Sequence, residues 1–372
     1  VAHLPGFLVS WRLMTTPDLP YKTALLWGRV DLGADGIKVI GVLWLLVAVA
    51  LVSSAAGLCL DSRWSFRMVL PLLVMSALLC ALDLPAARLG LFANVVLLAL
   101  LVAHPSQGVG VRRWNADTAD LATAIRMDAV GGPVTSAATP AGDVPAIVSR
   151  YFSRSLLHDN APPTTVVLTQ RGEFRMSDSS DSWKPFEATE TFSLQAPAFV
   201  WDARIRMLPG VPVLVRDSYR ARRGGMSASV LGLFTVMDAE PTTQLAEGAL
   251  QRYLGEAVWF PAALLPSRGV EWTAVNATTA RATIRHAEHL VSLDFQFSSE
   301  GDVVRVFTAA RAREVDGRFV PTPWEITCSN HQTRGDVRIP LSCEVAWRFS
   351  DGLSPYWRGE VLSYSVMGDR LP

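Results

Sequence analysis

The sequence of 372 residues predicts two parts: an N-terminal α-helical membrane segment, then a mainly antiparallel β domain, a curved meander or half-barrel with one or two covering helices. Three observations predict this. Residues 39–60 are 22 consecutive uncharged, mostly apolar positions, enough at about 1.5 Å per residue to cross a hydrocarbon core of about 30 Å. Residues 104–142 turn to Ala, Thr, Gly, Pro and Asp, the composition of a linker. After Pro163 the apolar period changes from helical to two, which is the spacing of half-buried strands.

Three transmembrane helices are expected at about 39–60, 66–82 and 85–103, with residues 1–11 reading as the end of a further, truncated one. Arg88 lies near a span end, where its long stem can carry the charge to the headgroups. Asn94 and Cys80 within the spans suit helix contacts, with a transport path as the alternative. Arg12, Lys22, Arg29, Lys38 and Arg88 flank one side, and Arg63, Arg67, Arg112 and Arg113 the other. That difference of one charge tips the domain after residue 103 toward the outside of the cytoplasm.

The linker 104–142 has room for one short helix near 117–129. The β-rich domain is placed at 143–372, where Asp143 can cap a helix with Val144, Ile147, Val148, Tyr151 and Phe152 on one face. Strands follow at 166–176, 186–194, 198–208, 212–222, 226–237, 270–275, 278–286, 289–297, 303–313, 319–329, 337–349 and 357–367. Short turns between them argue for an antiparallel meander. One helix interrupts it after Pro241, where Leu245, Ala249, Leu250, Tyr253, Leu254, Ala257 and Val258 keep a 3.6-residue period.

Two turns predict register. A three-residue loop at Pro209–Val211 would set Met207 against Val213, Ile205 against Val215 and Trp201 against Tyr219. The opposite face then carries Asp202, Arg204, Arg206, Arg216 and Arg220, balanced by Glu173, Glu187 and Glu190. A two-residue turn at Gly335–Asp336 would set Cys328 opposite Cys343, at a hydrogen-bonded pair less suited to a disulfide, so bridge and free thiols both stay open. Cys59 and Cys80, in the spans, read as apolar fillers.

Composition and motifs exclude several functions. With 34 basic and 34 acidic residues the net charge is zero, so no field gathers nucleic acid. Gly225-Met-Ser-Ala-Ser229 lacks the second glycine of a hydrolase elbow. No P-loop, dinucleotide fingerprint, zinc-protease helix or paired-cysteine motif occurs, so no catalytic residue, metal or cofactor is assigned. His286 and His289 flank a turn without further ligands of metal spacing and read as solvated turn residues.

The polar residues of most interest are Asp202, which can orient Arg204, and the pair Arg252 and Glu256, whose order along the helix is poor for mere helix support. Trp259, Trp324 and Trp357 either line a pocket or fill the core. The candidate ligand-binding set is therefore Trp201, Asp202, Arg204, Arg252, Tyr253, Glu256, Trp259, Trp324 and Trp357.

The stretches Trp201–Met207, Leu250–Pro266, Val315–Phe319, Pro321–Glu325, Arg338–Pro340 and Tyr356–Gly359 together resemble a bacterial family of uncharacterised membrane-associated proteins with a C-terminal β-rich domain. The resemblance covers about residues 143–367 and carries no assigned activity. The strand count and lone helix also resemble, at the level of fold, the half-barrel of periplasmic lipoprotein carriers, which implies a hydrophobic cavity. The first expectation is a multi-pass protein of the bacterial cell membrane whose β domain binds a lipid or other hydrophobic small molecule at the bilayer surface. The alternatives are a structural or partner-docking module with a filled core, and an enzyme using Asp202 or Glu256 as acid or base.

Overall fold

The apolar runs near the N-terminus form helices and the alternating segments form one large sheet, in a computed structural model that describes residues 3–15, 20–59, 63–84, 86–102, 108–130, 144–157, 163–175, 182–208 and 210–367. The chain divides into two compact units, Val1–Val109 and Gly110–Pro372.

The first unit holds α1 (Leu4–Ser10), a short ribbon of β1 (Ala24–Leu25) and β2 (Val30–Asp31), α2 (Gly33–Cys59), α3 (Arg63–Leu82) and α4 (Arg88–Val102). Within α2, the 22 residues Gly33–Ser54 are long and apolar enough to cross a membrane, as an anchor or a signal. The apolar stretches of α3 and α4, Met68–Leu82 and Arg88–Ala99, are shorter. Trp44, Val47, Leu79 and Cys80 pack together inside. Large apolar side chains also face outward, among them Leu89 at 77% and Phe92 at 69% exposure.

The second unit begins with α5 (Val109–Val130), a helix of 22 residues whose first residue lies at the unit boundary. Within the expected linker, residues 109–130 form a docked helix, longer than the short one expected near 117–129: Val111 and Trp114 pack on Leu214, and Ile125 on Ala198 and Val200. Its apolar residues are sparse because much of its contact is polar, which is why composition alone reads as a tether. Asp143, expected to cap the next helix, lies outside the described residues; α6 (Ala146–Ser155) starts after Pro145.

The sheet is built from β3 (Thr165–Arg175), β4 (Trp183–Ser193), β5 (Ala198–Leu208), β6 (Val211–Arg220), β7 (Arg223–Val230), β8 (Phe234–Asp238), β9 (Val270–Asn276), β10 (Thr279–His286), β11 (His289–Phe297), β12 (Val303–Val315), β13 (Arg318–Arg334), β14 (Val337–Phe349) and β15 (Gly352–Met367). Its order is β8-β7-β6-β5-β4-β3-β15-β14-β13-β12-β11-β10-β9, every pair described being antiparallel, with β8 and β9 as open edges. The expected single strand at 226–237 is a hairpin of two, because Leu231 and Gly232 take positive φ and reverse the chain.

The sheet curves around α7 (Thr243–Glu256) and three single turns of 3-10 helix at Ala257–Trp259, Pro261–Leu264 and Pro266–Arg268. Thr242 caps α7, its hydroxyl accepting from the Leu245 N–H at 3.1 Å. Curvature brings distant strands together: the Tyr219 hydroxyl at the end of β6 lies 2.8 Å from His286 Nδ1 at the end of β10. The main core fills the space between the inner sheet face, α6, α7 and the 3-10 turns.

The predicted register holds at one turn and shifts at the other. Cys328 pairs with Cys343 as expected, and both are free thiols with sulfurs 3.5 Å apart. Between β5 and β6, Ile205 faces Val213, Ala203 faces Val215 and Phe199 faces Tyr219, two residues away from the expected pairing. An irregularity at Arg206–Leu208 absorbs the difference. A shift of two keeps every side chain on its expected face.

Candidate functional site

Strand parity sends Trp201 and Asp202 to opposite faces, so the candidate residues fall into two groups rather than one. On the inner face, β4 points Phe186, Ala188, Glu190 and Phe192 into the core, β5 points Trp201, and β6 points Asp217 between Val215 and Tyr219. Helix α7 places Arg252 and Glu256 four residues apart on the side facing them.

Arg252 is the hub. Its Nε donates to Glu256 Oε1 at 2.9 Å, Nη1 to Asp217 Oδ2 at 2.6 Å and Nη2 to Glu190 Oε1 at 2.9 Å. The guanidinium also lies over the Phe199 and Trp201 rings, 5.1 and 5.0 Å from their centroids. Behind Glu190, Gln170 Nε2 donates to Oε2 at 3.2 Å while Trp201 Nε1 donates to Gln170 Oε1 at 2.9 Å. Because the indole can only donate, it determines which end of the Gln170 amide faces the carboxyl.

One guanidinium meets three carboxylates here, and Glu190 is fully buried. Burial first, and the neighbouring Glu256 second, push Glu190 well above the usual carboxyl range. Burial also raises Glu256, against the pull of Arg252. Burial opposes the Arg252 charge too, but its three carboxylates hold it protonated. Both shifts favour holding a proton on the Glu190–Glu256 pair, which lowers the excess negative charge around Arg252. Glu256 Oε2 is buried without a hydrogen-bond partner among the described residues.

The remaining inner-face candidates are spread through the core. Tyr253 donates its hydroxyl to Ser193 O at 2.8 Å, Trp259 Nε1 to Pro340 O at 3.0 Å, and Trp324 Nε1 to Tyr356 Oη at 2.9 Å. Trp357 packs on Phe186 with ring centroids 5.6 Å apart. These aromatics fill the trough that the sequence left open as pocket or core. Sequence reasoning missed Glu190, Asp217 and Gln170. The sequence reading groups Glu190 with the outward charges, yet it shares the parity of Phe186, Ala188 and Phe192, the signal that marks it as inward.

On the outer face, Asp202 and Arg204 lie beneath α5. Trp114 Nε1 donates to Asp202 Oδ1 at 2.8 Å, Arg204 Nη2 to Asn115 Oδ1 at 3.0 Å, and Arg216 to Thr118 Oγ1 and Trp114 O at 2.9 and 2.7 Å. The arginine-rich face is therefore in part a helix seat rather than a solvated surface. Burial raises Asp202, opposed by the Trp114 hydrogen bond and Arg216.

Three clefts stand out. One of about 250 Å³ lies in the helical unit beside Trp44 and the Lys22–Asp83 ion pair. Two of about 470 and 460 Å³ lie on the outer face of the sheet. Of the candidate residues only Trp324 lines any of the three. Neither Asp202 nor Glu256 lines any of these three clefts.

Residues 142–365 match the family of unknown function DUF6920. The chain belongs to that family. The DUF6920 match takes in the whole Arg252 cluster, the thiol pair and both outer-face clefts, and it leaves out α5, which covers Asp202. A LolA superfamily protein from Nitrosomonas europaea is similar at 10% sequence identity and a TM-score of 0.32, over 61% of this chain and 94% of that chain. No curated protein matches the chain.

Proposed function

We propose that this DUF6920 protein is anchored in the bacterial cell membrane by several of its N-terminal helices, and that its β domain binds a lipid or other hydrophobic ligand at the bilayer surface. The observation that carries this reading is the outward apolar coat of the helical unit. Val39, Leu46, Val49 and Val52 of α2 are each more than half exposed, as are Leu89, Phe92 and Val95 of α4. In water such a surface is a liability, whereas in hydrocarbon it is matched to its surroundings. The β domain adds an apolar rim of its own, with Phe234, Val236 and Met237 on edge strand β8 and Leu208 at the end of β5.

Because aromatic residues fill the trough, the ligand belongs on the outside of the β domain in this reading. The filled trough also favours a second reading, a membrane-tethered module that docks a protein partner. Native mass spectrometry of the full chain released from detergent separates the two. A lipid retained at one per chain, with the protein resisting alkaline extraction from membranes, is the expected result. A chain that resists extraction but retains no lipid would favour the docking module, and one washed off by alkali would overturn the anchor.

A further inference from the structure

We propose that the outer-face cleft between β11 and β12 is a binding site for an organic anion, a phosphate or carboxylate group joined to a compact apolar body. The cleft exists because the sheet splits. The β11–β12 ladder runs only from Asp294–Phe307 to Phe297–Val303; beyond Phe307, β12 stays with β13 and is displaced by an irregularity between Thr308 and Arg311. Ser292 and Asp294 form one lip, Thr308, Ala309 and Ala310 the other. Helix α7 braces the far lip from the inner side, through Gln251 Nε2 to Ala310 O at 3.3 Å and Arg311 Nη2 to Gly248 O at 3.2 Å. The opening, about 470 Å³, falls within the usual range for small-ligand sites, roughly 300–1,000 Å³.

Charge selects the ligand. Arg281, Arg305 and Arg348 line the cleft against Asp294 and Glu325, one cation in excess. Glu325 is 4% exposed, and its Oε2 takes both Arg305 and Arg348, the latter at 2.8 Å, so one buried oxygen orients two guanidinium groups. The Arg305 side chain keeps 29% of its surface exposed beside Glu325, which leaves guanidinium surface for a ligand oxygen to meet. Phe307, with the Arg305 guanidinium 4.4 Å above its ring, stands beside Pro323 and the two alanines as an apolar wall. Guanidinium forks beside an aromatic wall suit an oxyanion carried on an apolar body better than a bare inorganic ion.

The ligand can come from solution or from a phospholipid headgroup; only the second source rests on the membrane reading. The test is calorimetric titration of the full chain in uncharged detergent with phenyl phosphate and with inorganic phosphate. Saturable binding of one phenyl phosphate, at least tenfold tighter than inorganic phosphate, is expected. Arg305→Gln, which leaves Glu325 its Arg348 partner, should weaken it at least tenfold; Arg171→Gln, outside this cleft, should leave it unchanged. If Arg305→Gln fails to fold, Arg281→Gln replaces it. Absence of saturation, or unaltered binding in the folded cleft variant, would overturn the site. Repeating the titration in phosphatidylcholine nanodiscs with and without phosphatidylglycerol decides the source. Competition by the anionic lipid supports a headgroup, and unchanged affinity supports a soluble anion, while a chain that needs no bilayer at all would refute the membrane reading and leave the cleft standing.

Discussion

Glu190 and Arg252 make opposite predictions although they share a hydrogen bond. Arg252 is the single cation among three carboxylates, so Arg252→Ala leaves uncompensated charge in the core and should cost about 3–5 kcal/mol in chemical denaturation. Glu190 has its pKa raised on folding, so the sign runs the other way. Below its ordinary value of 4.5 the carboxyl is neutral in both states; above it the unfolded chain ionises first, and stability falls as pH rises toward the folded value. Glu190→Gln should remove that loss, giving a Tm above the ordinary carboxyl range no lower than that of the natural protein and a flatter dependence of Tm on pH there. A Glu190→Gln variant as unstable as Arg252→Ala would show that the ionised carboxylate is what the cluster needs. The sequence singled out Arg252 and Glu256 because their spacing lies within one helix. Glu190 and Asp217 are 62 and 35 residues from Arg252, and no local pattern joins them.

At the scale of elements, α5 depends on one close approach. Gly110 and Gly232 meet backbone to backbone, and a Cβ on Gly110 would come within 2.5 Å of the Gly232 carbonyl carbon. Gly110→Ala should therefore lift the first turn of α5 from the β7–β8 turn, at a cost of about 1–3 kcal/mol. Hydrogen exchange should quicken at residues 109–117; exchange unchanged there would mean the two backbones part without strain. Long alternating segments were legible because burial of one face imposes a period of two on every residue of a strand. The helix α5 was not, because its docking relies on Trp114, Asn115 and Thr118 bonding to Asp202, Arg204 and Arg216 more than on an apolar stripe. The β7–β8 hairpin reads as one strand in the sequence because its turn puts Leu231, a residue that rarely takes positive φ, beside a lone glycine, Gly232, a weak signal among 26 glycines.

Across the whole β domain, the pairing of β15 with β3 unites two sets of strands, β8 to β3 and β14 to β9. The residues it joins, such as Arg171 and Glu360, are 189 positions apart, and contacts of such separation form late because the intervening chain must first be ordered. Ending the chain after Asp351 removes β15 and leaves β3 and β14 each without one neighbour. We expect that truncated chain to lose near-ultraviolet circular dichroism and to be cut rapidly by protease; cooperative unfolding without β15 would mean the two sets fold independently. The sequence by itself determined the apolar N-terminal part, the alternating strands, the Cys328–Cys343 pairing and the face on which each β5 and β6 side chain lies, since these follow from composition, period two and one tight turn. Only the tertiary structure decided that aromatics fill the trough, that three carboxylates gather on Arg252, that a helix seats on Asp202 and that the sheet splits beside Phe307. Those outcomes depend on which distant surfaces meet and on where irregularities fall in the ladders, and neither leaves a local trace in the order of residues.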